Sequence, residues 1–179
     1  MILKDLVETV RGIDNDVFLV YRLSSEEVAS YGFGMTCSIP TRSYVTLNDG
    51  RKFPYIVISE GFWKVIKDNL LLKRWVFCHE HGHYYDETAR PNGTGRVLDK
   101  ELAADNFAHS CCSNGSVEAI KLFNKMMENM TKALSGSTDN KAVFEQYMIK
   151  CGGEDAARSV IEKEINELLY RITNLNSLL

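Results

Sequence analysis

Trp75-Val76-Phe77-Cys78-His79-Glu80-His81-Gly82-His83-Tyr84-Tyr85 is the stretch that decides how the rest of the chain is read. It holds His79-Glu80-x-x-His83 inside an apolar run of helical character. Residues four apart share one helix face, one turn apart, so His79 and His83 can grip a single metal ion. Glu80 sits beside the first of them, placed to reach a water on the same ion. Three of the chain's four histidines fall within these five residues. An imidazole left without a partner in so apolar a segment would be costly, which favours a metal site over a helix with surface histidines.

A catalytic zinc usually has three protein ligands and one open position, so a third donor is expected. Downstream stands Lys100-Glu101-Leu102-Ala103-Ala104-Asp105-Asn106-Phe107-Ala108-His109. Glu101 lies 18 positions after His83 (101 − 83), with a turn-rich segment between that lets a second helix return antiparallel to the first. Glu101 is the expected third ligand. Asp105, one turn on, is expected to hydrogen-bond the free ring nitrogen of a ligand histidine, fixing its tautomer. Ala103, Ala104 and Ala108 are small enough for close helix packing. Asp86 and Glu87 are rival third ligands, ranked below Glu101 because they follow His83 too closely. His81 points away from the ligand face and reads as a packing or surface residue. His109 lies two turns beyond Glu101 on the same face, either lining the cleft as an oxyanion donor or serving as an ordinary helix histidine. Tyr84 and Tyr85 read as half-buried packing residues, either of which could also donate to an oxyanion.

Outward from this segment, residues 1–12 read as a helix, with Ile2, Leu3, Leu6, Val7 and Val10 on one side. Val17–Leu23, Thr36–Leu47 with a bend at Pro40, and Phe53–Ser59 have strand character. Asn48-Asp49-Gly50 is a hairpin-turn signal. From Glu60 on the pattern is helical: about 60–67, then about 70–86 after an Asp68-Asn69 cap. Residues 87–97 read as a loop, and Asp99 is the expected cap of a helix to about Cys112. Three more helices are expected at about 117–134, 139–151 and 154–175. Strands first and helices after make the class α+β. The expected organisation is one domain over 1–179, with a catalytic core of about 1–115 and a helical C-terminal extension of about 116–179 packed on it.

A net charge of −3 and no polybasic run argue against nucleic acid or an anionic membrane as partner. Acidic residues interrupt the N-terminal apolar run, so no signal peptide is expected, and no stretch is apolar enough to span a bilayer. Five irregularly spaced cysteines, Cys37, Cys78, Cys111, Cys112 and Cys151, read as free thiols in a reducing cytoplasm. Met126, Met127 and Met130 read as core filler. Ile161, Ile165, Leu168, Ile172, Leu175 and Leu179 form a heptad seam, which could pair with a second copy or pack on the chain's own domain.

Over roughly residues 53–112 the sequence resembles the gluzincin clan of metallopeptidases. Their pattern is HExxH followed on a later helix by a phrase like ExxADxFA, here Glu101-Leu102-Ala103-Ala104-Asp105-Asn106-Phe107-Ala108. The approach Ile56-Val57-Ile58-Ser59-Glu60-Gly61-Phe62 is similar to that of the CAAX-prenyl-protease and heat-shock-protease family. The compact size looks more like the ImmA/IrrE-type peptidases. The resemblance implies a zincin-like minimal core of a small twisted sheet, an active-site helix and a ligand helix, with Phe53–Ser59 as the edge strand that takes up substrate. His81 departs from the aliphatic residue usual there, and a metzincin's third histidine would fall at position 89, which is Ala89. The expected activity is hydrolysis of a protein or peptide substrate by zinc-activated water, with Glu80 as general base. The competing expectation is a regulatory or binding module with a structural metal, acting through its C-terminal helices.

Overall fold

The computed structural model describes residues 5–12, 15–24, 27, 37–38, 44–86, 89, 96–112, 115–139 and 141–179. Among them run five strands, β1 Leu6–Arg11, β2 Val17–Leu23, β3 Cys37–Ser38, β4 Tyr44–Thr46 and β5 Lys52–Ser59. Six helices follow, α1 Glu60–Ile66, α2 Leu70–Tyr85, α3 Val97–Cys111, α4 Ser116–Ser137, α5 Lys141–Cys151 and α6 Glu154–Asn176. The class is α+β. The chain divides into two compact units, Met1–Ser116 and Val117–Leu179. No helix among the described residues is long and apolar enough to cross a membrane.

The sheet is mixed. Its order is β1-β2-β5-β3, with β4 also paired to β5. β2 and β5 run parallel at the centre, Leu19 opposite Tyr55 and Val20 opposite Ile56. Buried residues follow one another along both strands instead of alternating, so both sheet faces are covered. On one face Leu19, Tyr21, Leu23, Tyr55 and Val57 form a cluster with Val45, Leu47 and Phe53 against it. On the other, fully buried Phe18 meets rings of α2: His81 at 4.4 Å and Tyr84 edge-on at 5.0 Å between centroids. His81 is therefore a packing residue, and burial pushes its pKa down to about 4, leaving it neutral near pH 7.

Two expectations are corrected here. Leu6–Arg11 is not helical: it is a strand, antiparallel to β2 from Leu6 opposite Tyr21 to Arg11 opposite Val17. Its apolar spacing fits either period, and pairing with β2 decides between them. The bond from Gly12 N–H to the Asp16 carbonyl (2.8 Å) and Asn15 at φ 60° make the connection. Residues 1–4 of the expected helix lie outside the described residues. Phe53–Ser59 is not an edge either. β5 is flanked by β2 on one side and by β3 and β4 on the other, as its run of buried residues demands. β1, β3 and β4 are the strands on the rim. Of the expected strand Thr36–Leu47 only the pieces β3 and β4 are seen, and Pro40 lies outside the described residues. The Asn48–Gly50 turn joins β4 to β5, closed by Leu47 N–H to the Arg51 carbonyl at 2.9 Å, with Gly50 at φ 84°.

Local chemistry sets the helix starts. Ser59 Oγ accepts from Phe62 N–H at the start of α1, and Asn69 Oδ1 accepts from Leu72 N–H at the start of α2. The cap of α3 is Arg96, not Asp99. Asp99 lies in the first turn, where its carboxylate pairs with the Arg96 guanidinium at 3.0 Å and with the positive end of the helix. In the second unit, Gly152 and Gly153 take φ 81° and 146° in the turn between α5 and α6. The Arg158 guanidinium lies 4.9 Å from the Phe144 ring centre, and Asn124 Nδ2 donates to Asn176 Oδ1 at 2.8 Å. Of the heptad seam, Ile161, Ile172 and Leu175 are buried within the chain itself, whereas Leu179 is exposed.

α2 and α3 are antiparallel. Arg74 Nη2 donates to the Cys111 carbonyl at 3.3 Å near one end, and His83 meets Glu101 near the other. Between them Gly82 lies against Ala104. A Cβ on Gly82 would stand 2.9 Å from the Ala104 Cα and 3.1 Å from the Phe107 Cβ. The near atom is backbone, so the helices themselves would have to separate. We predict that Gly82→Ala costs about 1–3 kcal/mol, the usual penalty of overpacking, despite alanine's better helix propensity. Urea unfolding of the variant against the parent protein measures it, and unchanged stability would contradict the close contact.

Candidate metal centre

Three donor atoms from two helices converge on one point. From α2 come the Nε2 atoms of His79 and His83, 3.2 Å apart, on rings that stand at 90°. From α3 comes Glu101, with one carboxylate oxygen 3.3 Å from His79 Nε2 and the other 3.4 Å from His83 Nε2. Both histidines are buried, and Glu101 is partly open to solvent. Among the described residues these three form the group that could hold a metal ion.

The protons on the far side of each ring determine what the near side can do. His83 Nδ1 lies 2.6 Å from the Ala89 carbonyl oxygen, which can only accept, so Nδ1 carries the hydrogen. His79 Nδ1 lies 2.9 Å from Oδ1 of Asp105, a fully buried carboxylate that likewise accepts. In the neutral rings both Nε2 atoms are then bare lone pairs, aimed at each other and at a carboxylate. Such a triad repels itself unless a cation sits among its members. A tetrahedral ion with bonds of about 2.0 Å separates its ligands by about 3.3 Å, the spacing found here. The donor set therefore fits a metal ion in number, chemistry and spacing.

Without a metal, a proton is the substitute cation. Burial disfavours a charged His79, but the Asp105 and Glu101 carboxylates outweigh it and hold the pKa up at about 10. Burial likewise opposes charge on His83, while Glu101 and Glu80 raise its pKa. Metal and proton thus compete for the same lone pairs.

Glu80 is buried, one residue from His79, and its charge acts on His83. Other sequence candidates fall elsewhere. His109 is eight residues beyond Glu101, about 12 Å along the helix axis, and is not brought to the triad. Asp86 caps α2 through its backbone N–H to the Gly82 carbonyl and is not one of the three donors. Glu87 lies outside the described residues. Tyr84 and Tyr44 bring their hydroxyls within 3.3 Å, and Tyr85 donates to Asp16 at 3.1 Å while stacking on Phe107. Sequence reading missed Ala89. A backbone carbonyl has no side-chain signature, and its reach to His83 depends on the path of the chain after α2.

Three outcomes are expected. Metal binding at pH 7 should expel about one proton, that on His79, because the group is protonated below about 10 in the metal-free chain. Calorimetry in buffers of different ionisation enthalpy counts it, and affinity should climb as pH rises towards that value. The metal-free fold should respond with the opposite sign. A raised pKa contributes stability that is complete below the ordinary value of 6.5 and is lost as pH rises through about 10. Asp105→Ala should weaken metal binding about 10–100-fold without abolishing it, since it removes the group that orients His79. Competition with a chelator measures the change, and unaltered affinity would mean that the His79–Asp105 bond does not support the site.

Family models, curated proteins and solved structures offer no match to this chain, so the site's own chemistry is the ground for any assignment of function.

Proposed function

We propose that the chain is a zinc-dependent peptidase in which His79, His83 and Glu101 hold the metal and Glu80 is the general base. The observation that carries this reading is the pair of imidazole lone pairs facing Glu101, with a second, buried carboxylate at the adjacent position 80. Zinc suits two nitrogens and one carboxylate oxygen, and three protein ligands leave one coordination position for water or substrate. When bound it would lower the pKa of that water and polarise the scissile carbonyl.

The chain's own groups have separate tasks. Asp105 keeps the His79 proton on Nδ1, and the Ala89 carbonyl does the same for His83, so each Nε2 presents its lone pair to the metal. A Glu80 carboxylate oxygen takes a proton from the attacking water and returns it to the amide nitrogen as the peptide bond breaks. Burial of Glu80 strengthens its interaction with these protons, because little solvent competes. The partly open Glu101 marks the side on which the site meets solvent.

A second reading is a regulatory module with a structural metal. It is favoured by the compact unit Val117–Leu179, which supplies none of the donor residues. Glu80 separates the two, because a structural ion has no use for a base beside it. Glu80→Gln should fold, keep its metal and still bind peptide, yet lose cleavage by at least ~100-fold, within the 10²–10⁴ range of general-base catalysis. Comparing new protein termini after incubating parent and variant with a cell lysate tests it under zinc-replete conditions. Equal cleavage by both proteins would remove Glu80 from the mechanism, and no cleavage by either would favour the module.

A further inference from the structure

A cavity of about 350 Å³ lies between β1 and the face of α2 opposite His79 and His83. Lys73, Arg74, Phe77 and His81 line it from α2, spaced three and four apart so that they form one stripe. β1 runs beside that stripe in the same sense. Glu8 pairs with Lys73 at 3.0 Å near one end, and Gly12 lies against the Tyr85 hydroxyl near the other. Val10, between them, joins Phe77 in an apolar middle.

Two polar features of this cavity are unmatched. The charges of Lys73 and Glu8 cancel, whereas Arg74 meets a neutral acceptor, its Nη2 donating to the Cys111 carbonyl, so its positive charge is uncompensated. His81 lines the other end. Only 3% of it is exposed, and its Nε2 is buried with no hydrogen-bond partner. A buried polar atom in a native fold ordinarily has one. Arg74 and His81 are seven residues apart (81 − 74), about 10 Å along the helix axis.

We propose that the cavity binds a small, elongated carboxylic acid with an apolar middle and a hydroxyl at its far end, the chemistry of a hydroxylated aromatic acid. The inference does not depend on the peptidase reading.

Each part of such a ligand has a counterpart in the wall. The carboxylate pairs with the Arg74 guanidinium, a charge-assisted contact stronger than one between neutral groups. A ring between Val10 and Phe77 removes apolar surface from water and holds the two ends apart at little entropic cost. The hydroxyl meets His81 Nε2. Because a hydroxyl both donates and accepts, it satisfies that nitrogen in either tautomer. The second Glu8 oxygen, buried without a partner, adds negative charge to the wall and disfavours phosphate and other dianions. The volume is that of a small-molecule site, mostly apolar with a few polar groups that fix orientation.

The probe is 3-(4-hydroxyphenyl)propionate, titrated by calorimetry into the full chain, both zinc-loaded and metal-free. It should bind alike in the two states, because the cavity lies on the far side of α2 from the triad. The uncharged amide of the probe should bind at least about tenfold more weakly, and 3-phenylpropionate, which lacks the hydroxyl, about three- to tenfold more weakly. Arg74→Gln, at an exposed position, should erase the preference for acid over amide. His81→Phe, which keeps a ring against Phe18, should erase the preference for the hydroxyl. Should circular dichroism show His81→Phe unfolded, the ligand series and Arg74→Gln decide. No binding at millimolar probe, an amide that binds as well as the acid, or an Arg74→Gln variant that keeps the preference would each overturn the proposal. So would binding seen only with zinc present, where the carboxylate has joined the metal.

Discussion

The contact of Gly82 with Ala104 governs the geometry on both sides of the helix pair. With no side chain at 82, α2 can approach α3 until backbone meets backbone. Rigid helices transmit that register along their length. Within one turn of that contact it places His79 and His83 against Glu101, and farther along it sets Arg74 on the Cys111 carbonyl. Separation of the helices by even an ångström would open the donor spacing beyond what one small ion can bridge.

Charge imposes the second constraint. Asp105 has no exposure, and Glu80 has 4%. With Glu101 they make three carboxylates in a region of low polarity, where an uncompensated charge is far more costly than at the surface. A positive charge at the Nε2 atoms, as a proton on His79 or as a metal ion shared by all three donors, offsets part of that cost. The same compensation accounts for the raised His79 pKa and for the suitability of the site for a divalent cation. His81, two residues from each of these histidines, shows the other outcome. Packed on Phe18, it is kept neutral.

The sheet supplies the surface on which α2 lies. β2 and β5 are buried on both faces, so one face can take the rings of α2 while the other closes over Tyr21 and Tyr55. Their central position leaves β1, β3 and β4 at the rim. An extended peptide adding to this sheet would meet a rim strand and not β5, because β5 already has neighbours on both sides.

The sequence by itself determined what depends on local spacing and side-chain chemistry. His79 and His83 share a face because a helix turns every 3.6 residues, and Glu101 and Asp105 do so for the same reason. The Asn69 cap, the Asn48–Gly50 turn and the α+β order were legible on the same grounds. Tertiary structure decided what local pattern leaves degenerate or has no side-chain signature. Leu6–Arg11 has spacing that suits a helix, yet hydrogen bonds to β2 make it a strand. Phe53–Ser59 reads as a strand from either place in a sheet, and only its two sets of neighbours make it central. His109 lies on Glu101's side of α3, but two turns of rise carry it away from the donor group. The Ala89 carbonyl reaches His83 through the path of the chain after α2, and Glu101 meets His79 and His83 through the register of two helices. Such contacts depend on where the backbone runs and not on local spacing, so their geometry exists only once the chain has closed on itself.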